Sequence, residues 1–220
     1  IDNHYLHHEK NVMIVKKCVP FKVEVVVRGY MTGSTNTSLW THYQNGQRDY
    51  SGHQFRDGYR KNEKLDYNVV TPTTKDTSDK PISGKEVVER GLMNKDDWLY
   101  VEEVALKLFE YGQKMATEKG LILVDTKYEL GKLLNTGSNL GNFDKISLQA
   151  KRVGLDLQTG GKNMDGKIIL IDELHTCDSS RFWDLESYEE KFSQNLEPKK
   201  FDKDIVREWI KEQCDPYKDE

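Results

Sequence analysis

Apolar and polar positions follow two rhythms along this chain. Val12–Cys18 and Phe21–Tyr30 are rich in β-branched residues and are punctuated by Pro20, which predicts two strands. Met31–Tyr67 is full of Gly, Asn, Arg and Tyr and predicts loop with short strands. Ser83 followed by Glu86 predicts a capping box that opens a short helix over KEVVERG. From Asn94 to Lys119 the period becomes helical. Trp98, Val101, Ala105, Leu108, Gly112 and Met115 make one stripe, and Gly120 supplies the stop. Leu121–Val124 and Ile168–Ile171 are short all-apolar runs and predict strands, while residues 132–165 between them show no clear period. Asp202 predicts the cap of an amphipathic helix bearing Ile205, Val206, Trp209 and Ile210. Long helices among strands that read as antiparallel predict an α+β fold.

Composition narrows the class. The 220 residues suffice for one large domain or two small ones. Seven Phe, four Trp and eleven Tyr can fill a core. A formal net charge of −4 argues against a nucleic-acid coat, which needs a basic face, so a bound anion must meet a local cationic pocket. Cys18, Cys177 and Cys214 show neither CxxC nor metal spacing and read as free thiols in a reducing compartment. No apolar run approaches the ~20 residues of a membrane span. The opening IDNHYLHHEK is not a signal peptide, and its abrupt passage into strand-like sequence reads as the trace of a missing N-terminal part.

Four segments carry candidate chemistry. In LILVDTKYELG the strand runs into Asp125, and residues two apart share a face, so Asp125, Lys127 and Glu129 project together. A lysine between two carboxylates fits a site for phosphate and a divalent metal; a surface ion-pair ladder fits equally well. In KIILIDELHTCDSSRFW an apolar strand ends in Asp172 and Glu173, whose side chains alternate, so one of them is expected on the side of Asp125. Asp172 alone could also be a turn-forming residue. Ser179, Ser180 and Arg181 follow, and an arginine can fork onto carboxylate or phosphate. Phe182 and Trp183 read as core anchors. In FKVEVVVRGYMTGST, Glu24, Val26 and Arg28 share one face, and Gly33–Ser34 could bring backbone amides to an anion or simply form a turn. Lys75 and Asp79 stand in VVTPTTKDTSDKPIS, which by composition is a solvated loop. The six histidines, His7, His8, His42, His53 and His175 among them, show no metal spacing with cysteine and read as surface or hydrogen-bonding residues.

In this order VEVVVRGYMTGS, TPTTKDTSDKPIS, GLILVDTKYELG and IILIDELHTCDSSRFW resemble the SAICAR synthetase family of purine biosynthesis. The likeness runs from about Val12 on, apart from 132–165, and the tail with SYEEKF, LEPKKFDKD and CDPYKDE is similar to the plant-type branch. The resemblance implies a two-lobed, protein-kinase-like fold with nucleotide between the lobes. Here it implies mostly the C-terminal lobe: residues 1–30 as the remnant of the N-terminal lobe and hinge strands, and 31–220 as the substrate lobe with an insertion at 132–165. It implies ATP and Mg²⁺ as cofactors, and CAIR and L-aspartate as small-molecule substrates. Carried over residue by residue, Arg28 and Ser34 match contacts to the ribonucleotide phosphate. Lys75 and Asp79 match a loop closing over that substrate, and Arg181 the arginine of the DSSR turn. Asp125 and Lys127 match the catalytic DxKxE segment, with Glu24 and Lys127 set on the nucleotide side. Glu129 and Asp172 are the expected metal acids. Cys177 and Leu130 stand where the family usually has Pro and Phe, and no glycine-rich nucleotide loop precedes Val12. The competing readings are a binding module that keeps the substrate face without catalysis and, more weakly, a kinase-like protein with another substrate. The expected location is the cytoplasm, with the plastid stroma as alternative. Nothing in the sequence gives an oligomeric state.

Overall fold

The computed structural model describes residues 1–75, 80–134 and 166–213. The chain divides into two compact units, Ile1–Pro20 with Gly131–Leu170 and Phe21–Leu130 with Ile171–Glu220. In the first, β1 (Tyr5–Glu9) and β2 (Val12–Val15) form an antiparallel hairpin whose Val12 and Met13 side chains are exposed. β3 (Cys18–Pro20) pairs antiparallel with Gly131–Leu133. A Cβ at Gly131 would stand 2.8 Å from the Val19 carbonyl oxygen, so glycine is what lets the two backbones close.

The second unit is built on a sheet that contains β4 (Val23–Met31), β7 (Glu63–Thr74), β8 (Leu121–Leu133) and β10 (Ser180–Asp184) in the order β10-β8-β4-β7. Neighbours along this path are antiparallel, and β9 (Ile168–Ile171) also pairs with β8. β4 alternates over most of its length. Val23, Val25 and Val27 are buried on one face of β4, and Glu24, Val26 and Arg28 lie on the other.

α3 (Lys95–Thr117) packs on the apolar face of β4 and β7. Asn94 caps it by accepting from the Asp97 amide. Its buried residues are Trp98, Val101, Ala105, Phe109, Gly112 and Ala116. The expected stripe therefore holds at Trp98, Val101, Ala105 and Gly112, while Phe109 and Ala116 take the places expected of Leu108 and Met115. Leu108 is half-buried and Met115 exposed, because a run of about 3.6 residues per turn centres the later contacts on Phe109 and Ala116. Phe109 is fully buried, so cutting it to alanine costs about 3–5 kcal/mol. The capping box of Ser83 and Glu86 is formed at α2 (Gly84–Glu89).

Three expectations are corrected. Met31–Tyr67 contains α1 (Leu39–Gln44), capped by Ser38, and the short pair β5 (Asp49–Tyr50) and β6 (His53–Gln54). Its aromatics build a core of their own with Met31, Leu39, Tyr43, Tyr50 and Tyr59, at spacings too irregular to read as a period. The Thr/Pro-rich stretch is not loop up to Thr74 but the end of β7. Pro72 is tolerated there because β7 lies at the end of the strand order, where one side of the strand needs no sheet donor. The polar run ending in Arg181 is partly strand, since β10 begins at Ser180 and buries Phe182 and Trp183 as expected. Trp183 stacks on Tyr188 of α4 (Leu185–Ser193) at 5.8 Å between ring centroids.

α5 (Asp204–Gln213) starts two residues after Asp202. One Asp202 carboxylate oxygen accepts from the Asp204 amide at 2.9 Å, while the other accepts from the Phe182 amide at 2.9 Å. Ile205, Val206 and Trp209 are exposed. Cys18 and Cys177 are free thiols, as expected, and Cys214 lies outside the described residues. No helix among the described residues is long and apolar enough to cross a membrane.

Candidate active site

The polar face of the sheet gathers charges from strands far apart in sequence. Register sets Asp125 of β8 directly between Arg28 of β4 and Arg181 of β10. Both arginines reach the same carboxylate oxygen, Oδ2. Arg28 Nη1 is 3.4 Å away, and Arg181 Nη1 donates a short hydrogen bond. Arg28 Nε donates to Thr71 Oγ1 at 2.9 Å, and that hydroxyl donates to the Val26 carbonyl at 3.2 Å. Arg181 Nε lies 3.5 Å from Asp204, which also holds Arg207 at 3.1 Å. Asp125 raises the Arg181 pKa above its ordinary value against the opposing effect of burial, with Asp204 adding to it, so Arg181 stays charged.

Two residues further along β8, about 7 Å, a second cluster forms around Lys127. Its ammonium lies 3.2 Å from Glu24, 3.1 Å from Glu129 and 4.0 Å from Asp172. Lys75 donates a short hydrogen bond to the other Glu129 oxygen. Burial alone would pull the Lys127 pKa down, but Glu129 and Glu24 outweigh it and raise the pKa. For Glu129, burial pushes up and the two lysines prevail, holding it below the usual carboxylate range. Lys127 is thus a fixed cation at neutral pH rather than a free base.

A cavity of about 300 Å³ opens over the arginine end. Arg28, Ser34, Asp125, Lys127 and Arg181 line it, so these expected residues come together around one cavity. Ser34 follows Gly33, whose φ of 115° and whose clash of any added Cβ with Ser38 at 2.4 Å require glycine at this turn. Glu24, Lys75, Glu129 and Asp172 gather at Lys127 outside the cavity lining. Asp79 lies outside the described residues.

One expectation fails on backbone geometry. Asp172 and Glu173 do not part to opposite sides. Asp172 has a left-handed φ of 62°, which breaks the two-residue alternation. Asp172 therefore approaches Lys127 while Glu173 lines the cavity. Sequence reasoning also missed Thr71 and Asp204, which steady the two arginines, and Ser38, whose side chain caps α1 and lines the cavity. Thr71 opens the TPTTK segment, and its place two residues before Thr73 on one strand face was the available signal.

Known proteins frame this geometry. The family model described as SAICAR synthetase matches residues 1–153 and 159–220 and so includes much of the 132–165 stretch. A chloroplastic phosphoribosylaminoimidazole-succinocarboxamide synthase from Vigna aconitifolia is 48% identical over 213 residues, which is 96% of this chain and 54% of that protein. The synthase of that name from Legionella pneumophila (strain Paris) is 46% identical over 96% of this chain and 59% of its own length. A SAICAR synthase from Saccharomyces cerevisiae, complexed with SAICAR, superposes with a TM-score of 0.65 at 25% identity, covering 97% of this chain and 64% of that one. The chain spans between half and two thirds of the length of these relatives. With an α+β architecture matching theirs and a family model covering nearly its whole length, this chain belongs to the SAICAR synthetase family.

Proposed function

We propose that the protein is an ATP-dependent ligase that joins L-aspartate to CAIR, giving SAICAR, ADP and phosphate. The observation that carries this is the pair of guanidiniums from two strands on one buried carboxylate, facing a cavity beside the Gly33–Ser34 turn. Such a fork, already oriented and largely dry, suits a phosphate ester. In this reading Arg28 and Ser34 hold the ribonucleotide phosphate and Arg181 the same substrate. Lys75 and Asp79 close over it. Asp125 keeps both guanidiniums in place. Lys127, with Glu24 beside it, presents a positive charge to the phosphoryl group in transfer.

The carboxylate oxygen of CAIR attacks the terminal phosphorus and ADP leaves. The aspartate amine then attacks the acyl carbon, phosphate departs, and the amine proton passes to solvent. Among the described residues no three His, Cys, Asp or Glu side chains form a metal cage. Mg²⁺ needs none, since it takes one or two carboxylates and completes its shell with water and substrate phosphates. Glu129 and Asp172 supply hard oxygen donors of that kind, and the ion would neutralise phosphate charge there.

The same reading keeps residues 1–30 as part of a nucleotide lobe, 31–220 as the substrate lobe and 132–165 as an insertion. It sets the protein in the cytoplasm or in the plastid stroma; relatives from Vigna aconitifolia and Arabidopsis thaliana are named chloroplastic. The test incubates the full-length protein with CAIR, L-aspartate, ATP and Mg²⁺ and follows SAICAR chromatographically, omitting each component in turn. Product that requires all four is expected. CAIR binding without turnover would overturn the ligase reading in favour of a binding module.

A further inference from the structure

The turn after β9 is held by a residue that no step above uses. His175 Nε2 and the Tyr128 hydroxyl share a hydrogen bond of 2.5 Å. Tyr128 is fully buried on the face of β8 opposite Asp125 and Lys127. On the other side the imidazole lies against α3 at Gly112. A Cβ built there would stand 2.3 Å from His175 Cε1 and 2.7 and 2.8 Å from its ring nitrogens, so the ring occupies the space a side chain at 112 would need. The backbone is left-handed at both Asp172 (φ 62°) and His175 (φ 52°). Residues other than glycine keep that conformation only where surrounding contacts hold it. Between these two points stands Glu173, which accepts from Thr176 Oγ1 at 2.5 Å and lines the cavity.

We propose that His175 is a positioning residue: its ring, seated in the notch left by Gly112 and bonded to Tyr128, fixes the 172–176 turn so that Asp172 meets Lys127 and Glu173 meets the cavity. Burial holds the His175 pKa below its ordinary value, which keeps the ring neutral and suited to this seat. What the two acids do rests on the ligase reading; where they stand does not.

The experiment uses the full-length protein with Tyr128→Phe, Gly112→Ala and both together. Tyr128→Phe removes one hydroxyl and keeps the ring. Gly112→Ala favours the helix by its own propensity, so any loss there comes from eviction of His175. Each single variant is expected to lower kcat about 10- to 100-fold, with KM for CAIR unchanged. The double variant should be no worse than about twofold beyond the stronger single, since both act through one ring. Amide hydrogen exchange should quicken over 172–176 in every variant and stay unchanged in β8 and α3. Unchanged exchange at 172–176, or an intact kcat with a raised KM, overturns the proposal, as does a double variant whose losses multiply. If wild-type protein makes no SAICAR, the ligase reading fails and the exchange result alone decides the anchor. Should Gly112→Ala not fold, His175→Asn, which withdraws the ring from both neighbours, takes its place with the same expected outcomes.

Discussion

The two ends of the polar face on β8 handle charge in opposite ways. At Asp125 two guanidiniums share one carboxylate, and the three side chains are 12–22% exposed. At Lys127 three carboxylates crowd one ammonium, with Lys75 as the second cation. This end is wetter, with the Asp172 side chain 46% exposed. The first end is rigid and cation-rich. Its arginines are fixed before any ligand arrives, and an incoming anion needs no rearrangement. The second end is acid-rich and adaptable, since a partly solvated lysine can yield a carboxylate to another cation at low cost. In the proposed reading one strand thereby offers an anion seat and a cation seat, centred on side chains about 7 Å apart.

The largest effect that would sharpen this contrast is on stability. Asp125→Ala leaves Arg28 without its carboxylate and Arg181 with Asp204 alone, two facing guanidiniums in a dry place, and denaturant unfolding should show a loss of about 3–5 kcal/mol. A loss under about 1 kcal/mol would mean that the arginine end is no drier than the other. Next in size, Asp172→Asn should reduce SAICAR formation by about 100-fold or more while shifting unfolding by no more than about 0.5 kcal/mol. Normal turnover would remove Asp172 from the cation seat. Arg28→Ala should weaken CAIR binding by about 10- to 100-fold and leave ATP binding unchanged. Calorimetric titration with each ligand checks this, and equal losses for both would erase the distinction between the ends.

The smallest effect concerns pH. Burial depresses the His175 pKa below the usual 6.5, so on acidification the unfolded chain takes up a proton that the folded one resists. The resulting stability is complete above about pH 6.5 and is lost as pH falls through the folded pKa. Thermal midpoints compared at about pH 7.5 and about pH 5.5 should show less acid sensitivity in His175→Asn than in wild type. Identical slopes would assign the acid sensitivity to other groups.

Much of this face was legible because a strand's period is short and local. Asp125, Lys127 and Glu129 had to share a side once Leu121–Val124 was read as strand, and the structure extends that strand to Leu133. The helix from Lys95 was legible from its stripe and its Gly120 stop. What stayed hidden is non-local or depends on unusual backbone. Arg28 and Asp125 are 97 positions apart, and only register joins them. Asp172 turns left-handed, which no alternation rule anticipates. β10 went unread because its first two positions are polar, and those are the positions that face Thr126 and Asp125. α1 has six residues, too few to establish a helical period.

The shared carboxylate at Asp125 also constrains how such a protein can drift. Replacing Asp125 alone leaves Arg28 without a carboxylate, and replacing either arginine leaves that carboxylate with one cation where it had two, so each one-step change unbalances charge among buried neighbours even where the final triplet would be sound. Neutral exchange at these three positions, drawn from three separate strands, requires coordinated substitutions. A library randomised at all three together should yield folded variants that stepwise mutagenesis never reaches, while the solvated residues around Lys127 should accept changes one at a time.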